Sequence, residues 1–354
     1  MGAMTDRSRK LTERAQLDYP LTAPATDGSV ITIAPGLLWV RMPMQGALGH
    51  INVYLLEDSD GWWIVDTGLR IDKVKSLWLK LAAEYFSEKP LKAVICTHFH
   101  YDHSGQSAWL SDHFQVPVYM THGEYFAMRV FNSGGADIGS PSQRDFFHRS
   151  GVPEDLIEDI IVSCSKDPFR ASSPPGYIRL FDQQSLQIGS RQWRIIVGQG
   201  HSPEHACLYC EDEGILIAGD QLLPEISSNV LVTDIEPFAN PLALWLQSLD
   251  RLEKLHQDTL ILPAHGPVFK NVKVRVHQLQ SHHERQLNVL RDSMTDAQPV
   301  TAFQLMSCLF KRKLSVMDNI LALGETLAHL NWLMDNHEIS VSTDSDGISQ
   351  YCAK

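Results

Sequence analysis

The chain has 354 residues, enough for one large domain with a smaller one or for two medium domains. Its 44% hydrophobic and 20% charged residues are ordinary for a soluble globular protein, and its apolar runs are far too short to span a bilayer. With 30 Lys and Arg against 42 Asp and Glu the net charge is −12, which excludes a broad electrostatic attraction to nucleic acid or to an anionic membrane, although not a local basic patch.

The first residues predict neither export nor lipidation. They contain no apolar core of a secretory signal, and Asp6 stands where N-myristoylation requires Ser or Thr. The six cysteines are widely spaced, and Cys207 and Cys210 face opposite ways if their segment is a strand. We therefore expect core cysteines and a cytoplasmic protein whose thiols stay reduced.

Short predicted strands follow a polar N-terminal arm over residues 1–29. Apolar runs separated by turn residues predict four strands, over 31–33, 37–42, 50–57 and 62–66. An apolar stripe then predicts a helix over 69–86, and the apolar run that ends at Cys96 predicts a buried strand. The order of these elements is that of an α/β fold.

A dense set of polar side chains follows the strand that ends at Cys96. His98, His100, Asp102 and His103 are four potential metal ligands within six residues. His98 and His100 leave the extended strand end on the same side, because side chains two apart share a face. Neutral imidazoles suit Zn²⁺, Fe or Mn, and a carboxylate adds charge and hardness. The spacing predicts a metal site, since chance rarely supplies all four ligands in this pattern.

Residues 122–176 break the regular alternation and form a long insert. Helical patterns are mixed there with aromatic residues and arginines. A long insert at this position predicts a lid over the site that determines the substrate, while the alternative is a helical pair with its own small core. Phe126, Phe131 and Arg170 are the insert residues that we expect to contact substrate.

Further short strands follow the insert, and three of them end in a candidate ligand. The predicted strands cover 177–181, 185–188, 193–197, 206–210 and 215–218. His201 follows the third of these between glycines that free the backbone to turn the imidazole inward. Asp220 follows the last strand, and His265 ends another apolar run that starts at Leu260.

The composition changes after Pro267. We predict a catalytic domain over 30–268, a connecting segment with a long helix over 269–298 and a C-terminal module over 299–354. Two apolar-striped helices and a hairpin in this module resemble a winged helix. Its only basic cluster is residues 311–313, which favours packing or dimerisation over nucleic-acid contact.

The polar strand ends resemble the metal site of the metallo-β-lactamase superfamily of hydrolases. The HxHxDH signature of that family matches residues 98–103, and its third His, bridging Asp and last His match His201, Asp220 and His265. The resemblance implies an α/β (α+β) fold, a four-layer αββα sandwich with a small C-terminal helical or winged-helix domain. It also implies that Asp66 orients the ligand loop from behind, although capping of the next helix would look the same in sequence.

The resemblance further implies two divalent metal ions, with Zn²⁺ expected and Fe or Mn as alternatives. The expected ligands are His98, His100 and His201 for one ion and Asp102, His103 and His265 for the other, with Asp220 bridging them. Two such ions lower the pKa of a bridging water, so that hydroxide is available near neutral pH. Asp102 and Asp220 are therefore the expected catalytic carboxylates.

The full ligand set with a bridging Asp resembles the glyoxalase II-like branch. We therefore expect a hydrolase of a small thioester or ester of the acyl-CoA or acyl-glutathione type. One alternative is an endoribonuclease or phosphodiesterase, because one endoribonuclease branch carries a winged helix. Two others are a lactonase and a non-catalytic regulator. A true β-lactamase is disfavoured, since the best-known branch has Cys where this chain has Asp220. We expect a small-molecule substrate, no membrane or nucleic-acid partner, and a homodimer as an option.

Overall fold

The computed structural model describes residues 6–46, 48–132, 138–166, 172–294 and 298–354. The chain divides into two compact units that interleave in sequence. The first unit takes its described residues from 1–133, 169–228 and 249–278, and the second takes them from 134–168, 229–248 and 279–354. The predicted insert over 122–176 is therefore shared between the two units.

Two sheets lie in the first unit. Within the described residues the first sheet has seven strands in sequence order: β1 (Val30–Ala34), β2 (Leu37–Pro43), β3 (His50–Glu57), β4 (Trp62–Val65), β5 (Leu91–Ile95), β6 (Val118–Met120) and β7 (Ile178–Arg179). The second has five, in the order β12-β11-β10-β9-β8: β8 (Ser185–Ile188), β9 (Arg191–Gly198), β10 (His205–Cys210), β11 (Ile215–Gly219) and β12 (Leu260–Pro263). Pairing is parallel from β4 to β7 and between β11 and β12, and antiparallel elsewhere.

Eleven helices are described in the chain. They are α1 (Asp6–Ala15), α2 (Asp72–Tyr85), α3 (Tyr101–Ser104), α4 (Ser107–Phe114), α5 (His122–Asn132), α6 (Pro141–Arg149), α7 (Glu154–Ser165), α8 (Pro241–Glu253), α9 (Val272–Ser293), α10 (Ala302–Leu309) and α11 (Val316–Asp335). None of these described helices combines the length and the apolar character that a membrane crossing requires.

Both faces of the first sheet are buried. Leu37 and Trp39 of β2 pack in one core with Trp193 of the second sheet, while Val40, on the opposite face of β2, packs in another core with Trp78 of α2. Because successive side chains of a strand point to opposite faces, β2 is apolar at every position except Arg41 instead of alternating. This packing of a sheet on a sheet, with helices outside, confirms the predicted α/β sandwich.

The second unit contains α10, α11 and a two-stranded antiparallel sheet of β13 (Ile339–Thr343) and β14 (Ser349–Ala353). The sequence predicts this succession of two helices and a hairpin. It places the start of the second helix at residue 320, however, and α11 begins at Val316. The earlier start results from a capping box, in which the Ser315 hydroxyl accepts from the Asp318 N–H and the Asp318 carboxylate accepts from the Ser315 N–H. Assignment of the module as a winged helix stays a prediction.

Candidate metal centre

The centre is built at the C-terminal ends of strands from both sheets. β4 and β5 are parallel neighbours, so their following loops lie side by side and carry Asp66 and residues 97–103. β11 and β12 are also parallel neighbours and are followed by Asp220 and His265. β9 runs in the same direction as β11, because both are antiparallel to β10, and the loop after it carries His201. The topology thus delivers five segments to one end of the sandwich.

The seven predicted ligands come together in two groups. The first group is His98, His100, His201 and Asp220, and the second group is Asp102, His103 and His265. Within each group the candidate ligand atoms all lie within 4.8 Å of one another. Side chains separated by more than a hundred residues in sequence therefore share one small volume, an arrangement that suits a metal site.

Asp220 faces both groups with different oxygen atoms. Its Oδ2 lies 3.4 Å from Nε2 of His201 in the first group. Its Oδ1 lies 3.4 Å from Nε2 of His265 and 3.6 Å from Nε2 of His103 in the second group. Asp102 completes the second group, with Oδ2 3.2 Å from Nε2 of His265. One carboxylate thus lies between the two groups, with one oxygen toward each.

The donor atoms of the centre fit divalent cations. His103 Nε2 and Asp220 Oδ1 are buried and have no hydrogen-bond partner in the described structure. In the first group, Nε2 of His98 lies 2.8 Å from Nδ1 of His100 and 3.2 Å from Nε2 of His201, so several ring nitrogens converge. Burial lowers the pKa of His98 well below its ordinary value and that of His100 to about 3, so both imidazoles are neutral and can coordinate.

The second group has the opposite electrostatic balance. Burial alone would lower the pKa of His103, but the carboxylates of Asp102, Asp66 and Asp220 outweigh it and raise that pKa. Burial alone would raise the pKa of Asp220, but His265 and His103 hold it well below its ordinary value. Asp220 is therefore ionised, and a cation bound here would replace the proton that the imidazoles share with it.

Asp66 lies directly behind this group. Its Oδ1 accepts a hydrogen bond from the Thr97 backbone N–H at 2.8 Å, and its Oδ2 lies 2.8 Å from Nδ1 of His103. A carboxylate at Nδ1 keeps a proton there, so Nε2 is the ring nitrogen left to coordinate a cation in the centre. The capping alternative does not apply, because α2 starts after Ile71 and has no side-chain cap. Asp66 adopts a left-handed backbone, φ 63°, which Asp tolerates better than most residues.

Two supporting residues lie behind the candidate ligands: His205, which the sequence predicts as a strand or supporting residue, and Glu124, which the sequence analysis missed. His205 is fully buried, and its Nε2 accepts the backbone N–H of Asp220 at 3.0 Å. Glu124 on α5 is also fully buried and accepts hydrogen bonds from the loops of both His98 and His201. Burial raises the pKa of Glu124 to about 7. Its position on the buried stripe of α5, four residues before Met128, is the signal that could have identified it.

The predicted substrate residues are distributed unevenly around the centre. The ring of Phe131 stacks on Phe99, with centroids 4.9 Å apart, and Phe99 lies 4.5 Å from the ring of His100. Phe126 is 50% exposed on α5 and contacts His122 instead of a candidate ligand. Arg170 lies outside the described residues. The part of the insert over 134–168 belongs to the second unit, so the lid stays a prediction.

Family models cover most of the chain. The model described as Metallo-beta-lactamase superfamily matches residues 46–265, and the model described as Metallo-beta-lactamase-like, C-terminal domain, matches residues 289–354. A crystal structure of a beta-lactamase domain protein from Burkholderia ambifaria is 37% identical, covers 97% of this chain and 100% of its own, and superposes with a TM-score of 0.89.

The curated relatives are named for different activities. The probable metallo-hydrolase YqjP from Bacillus subtilis is 26% identical over 83% of this chain and 91% of its own length. A linear primary-alkylsulfatase from Pseudomonas sp. is 26% identical over 62% of this chain and 42% of its own length. The acyl-coenzyme A thioesterase MBLAC2 from Homo sapiens is 24% identical over 53% of this chain and 64% of its own length. These similarities define a chemical class without defining one substrate.

Proposed function

Because the chain belongs to the metallo-beta-lactamase superfamily and is a metal-dependent hydrolase of that family, we propose that it binds two divalent cations, preferably Zn²⁺, and that it hydrolyses a small thioester or ester. The position of Asp220 supports the dinuclear proposal most directly. Its two oxygens each lie 3.4 Å from an imidazole nitrogen of a different group, His201 on one side and His265 on the other. A residue that served a single ion would not need this geometry.

A pair of divalent cations, if held by these residues, would supply Lewis-acid polarisation of the scissile carbonyl and an activated water near neutral pH. The chain supplies the acceptors for that chemistry. Burial would raise the pKa of Asp102, but His103 and His265 outweigh it and lower this pKa to about 2, so the carboxylate is ionised at neutral pH. Asp102 and Asp220 are therefore ionised and would accept hydrogen bonds from the attacking water, and His103 is oriented by Asp66.

An apolar wall beside the first group favours an acyl substrate. Phe99 and Phe131 stack next to His100, and α5 also exposes Phe126 and Val130, which are 50% and 45% exposed. Such a surface suits an acyl chain better than a phosphodiester backbone. A thiolate leaves without protonation, which suits a centre whose ionisable side chains serve as ligands or as their supports. The similarity to MBLAC2, an acyl-coenzyme A thioesterase, supports an acyl-CoA thioester as the substrate.

A hydrolysis screen tests this function. The substrates are an acyl-CoA, an acyl-glutathione, a lactone, nitrocefin, a linear alkyl sulfate and a single-stranded RNA, each with the protein as purified and after chelation. We expect metal-dependent turnover of an acyl thioester, with a kcat/KM that changes only modestly with ionic strength. Cleavage of RNA with a steep loss of binding at higher salt would instead support the endoribonuclease alternative.

Replacing Phe131 with Ala should alter substrate preference without altering metal content. The truncation removes the ring that packs on Phe99, so the KM for a long acyl chain should rise roughly tenfold and that for a short chain much less. Kinetics on two acyl chain lengths, metal content and a melting curve provide the check. Phe181→Ala is the control, because Phe181 is 53% exposed on the same unit and contacts no candidate ligand in the described structure. Equal changes for both chain lengths would contradict an acyl contact.

Replacing Asp66 with Asn should weaken metal binding by roughly 10- to 100-fold. The Asn oxygen can still accept from the Thr97 N–H, but its amide group would then face Nδ1 of His103 and donate to it. Nε2 of His103 would carry the proton and could not coordinate. Competition with a chromophoric chelator measures the affinity, and the exposed Asp212→Asn is the matched control. An affinity equal to that of the original protein would show that Asp66 does not set the tautomer.

A further inference from the structure

A buried carboxylate joins the two ligand loops of the first group. Glu124 Oε2 accepts the backbone N–H of Phe99, which lies between His98 and His100, at 2.9 Å. Its Oε1 accepts the hydroxyl of Ser202, directly after His201, at 2.6 Å and the backbone N–H of Glu204 at 2.7 Å. We propose that Glu124 is a positioning residue that sets the distance between the His98–His100 loop and the His201 loop and thereby the affinity of the first group for its cation.

The hydrogen-bond pattern explains why a carboxyl side chain is present at this point. The two loops come from different sheets, after β5 and after β9, and no described strand pairing joins these two strands. Both loops present donors to the same place, and a carboxylate is the side chain that accepts at both ends without donating. Three donors also offset part of the cost of burying its charge.

The contacts of Glu124 lie next to ligands of the first group. Both of the loops that it joins carry ligands of that group, whereas the second group has its own supports. Asp66 holds Nδ1 of His103, and the carbonyl oxygen of His50 accepts from Nδ1 of His265 at 2.9 Å. Removing Glu124 should therefore affect one cation more than the other, which a general loss of folding would not do.

The same helix also holds Phe99 through its side chain. Phe131, seven residues after Glu124 on α5, stacks on the Phe99 ring, while Glu124 holds the Phe99 backbone. Residues seven apart lie on nearly the same face of a helix. α5 thus contacts both the apolar wall and the loop of the first group.

The inference rests on the proposed metal centre, and a titration of the metal-free protein with Zn²⁺ tests both. The variants are Glu124→Gln and, as a control, Glu88→Gln on an exposed residue. A Gln amide can accept at one end only, so its NH₂ group would oppose the N–H of Phe99 or the donors of the other loop. We expect Glu124→Gln to weaken the first cation roughly 10- to 100-fold, with the second within about twofold, and the control to match the original protein.

Single-site backgrounds identify the affected cation. In His265→Ala only the first group is intact, and adding Glu124→Gln should lower the remaining affinity. In His201→Ala only the second group is intact, and the same addition should have no effect. Equal weakening in both backgrounds, or in neither, would overturn the positioning role. An original protein that binds no Zn²⁺ would instead refute the proposed function itself.

A milder variant covers the case in which Glu124→Gln does not fold. Ser202→Ala removes one of the three donors and leaves both backbone hydrogen bonds in place. It should weaken the first cation several-fold with an unchanged melting temperature of the metal-free protein. An unchanged cation affinity in this variant would count against the proposal.

Discussion

Replacing Asp220 with Asn is expected to remove both cations and to abolish turnover on every substrate. Asn has nearly the same shape but has one acceptor oxygen and no charge, whereas both oxygens of Asp220 face imidazoles at 3.4 Å. Charge stabilisation by two metals contributes several kcal/mol to such a reaction, and each 1.36 kcal/mol is a factor of ten. We therefore expect kcat/KM to fall by at least about 10³-fold. Metal content by mass spectrometry, measured beside activity, checks this.

A matched control separates the effect of Asp220 from a general effect of charge. Asp258→Asn removes the same charge from a side chain that is 74% exposed, and we expect full metal content and activity. A folded Asp220→Asn protein that keeps two metal equivalents and activity within tenfold of the original would refute the bridging role.

Replacing His201 or His265 with Ala should each remove one cation and leave the other. His201 belongs to the first group and His265 to the second, and neither side chain faces both. The stoichiometry should fall from two equivalents to one in each variant, with a loss of roughly 100-fold or more in kcat/KM, because a single cation cannot both activate water and polarise the carbonyl equally well. Loss of both cations in each variant would mean that the groups act as one inseparable site. A single equivalent in the original protein would mean a mononuclear centre.

The ligand positions could be predicted because each one follows directly from a local pattern. An apolar strand that ends in a polar residue, as before His98, Asp220 and His265, indicates both the element and the end at which the side chain emerges. The relative placement of those strand ends came from resemblance to a family. The structure then brings the seven residues into two groups, and the distances from Asp220 to His201 and to His265 suggest its bridging role.

Glu124 could not be predicted because its partners are distant in sequence. The carboxylate contacts Phe99 and residues 202–204, and only the packing of α5 against both loops creates that environment. In sequence it is a glutamate in an amphipathic helix, which is ordinarily solvated. Its place on the buried stripe is a weak signal that becomes meaningful only when the neighbours of that stripe are known.

The apolar pattern over residues 103–113 predicts one short helix, and this prediction was wrong for a related reason. The structure has α3 and α4 with Gly105 and Gln106 between them. A side chain at Gly105 would collide with the Tyr101 and Gly68 carbonyl oxygens, so the helix is interrupted where it packs on the loop after β4. Gln106 is held by that loop, because its backbone N–H donates to the Thr67 hydroxyl and its side-chain amide donates to the Leu69 carbonyl. The hydrophobic periodicity of residues 103–113 gives no information about these contacts with a distant loop.

The wide sequence separation of the ligands has a consequence for the order of folding. His98 and His265 are 167 residues apart, and their strands belong to different sheets. The full centre can form only after both sheets exist and have packed together, which is late on any pathway, because long-range contacts require the most loop closure. Cations should therefore leave the folding rate almost unchanged and slow unfolding instead. In a dilute chelator the protein would fold as readily as before and persist for a shorter time once folded.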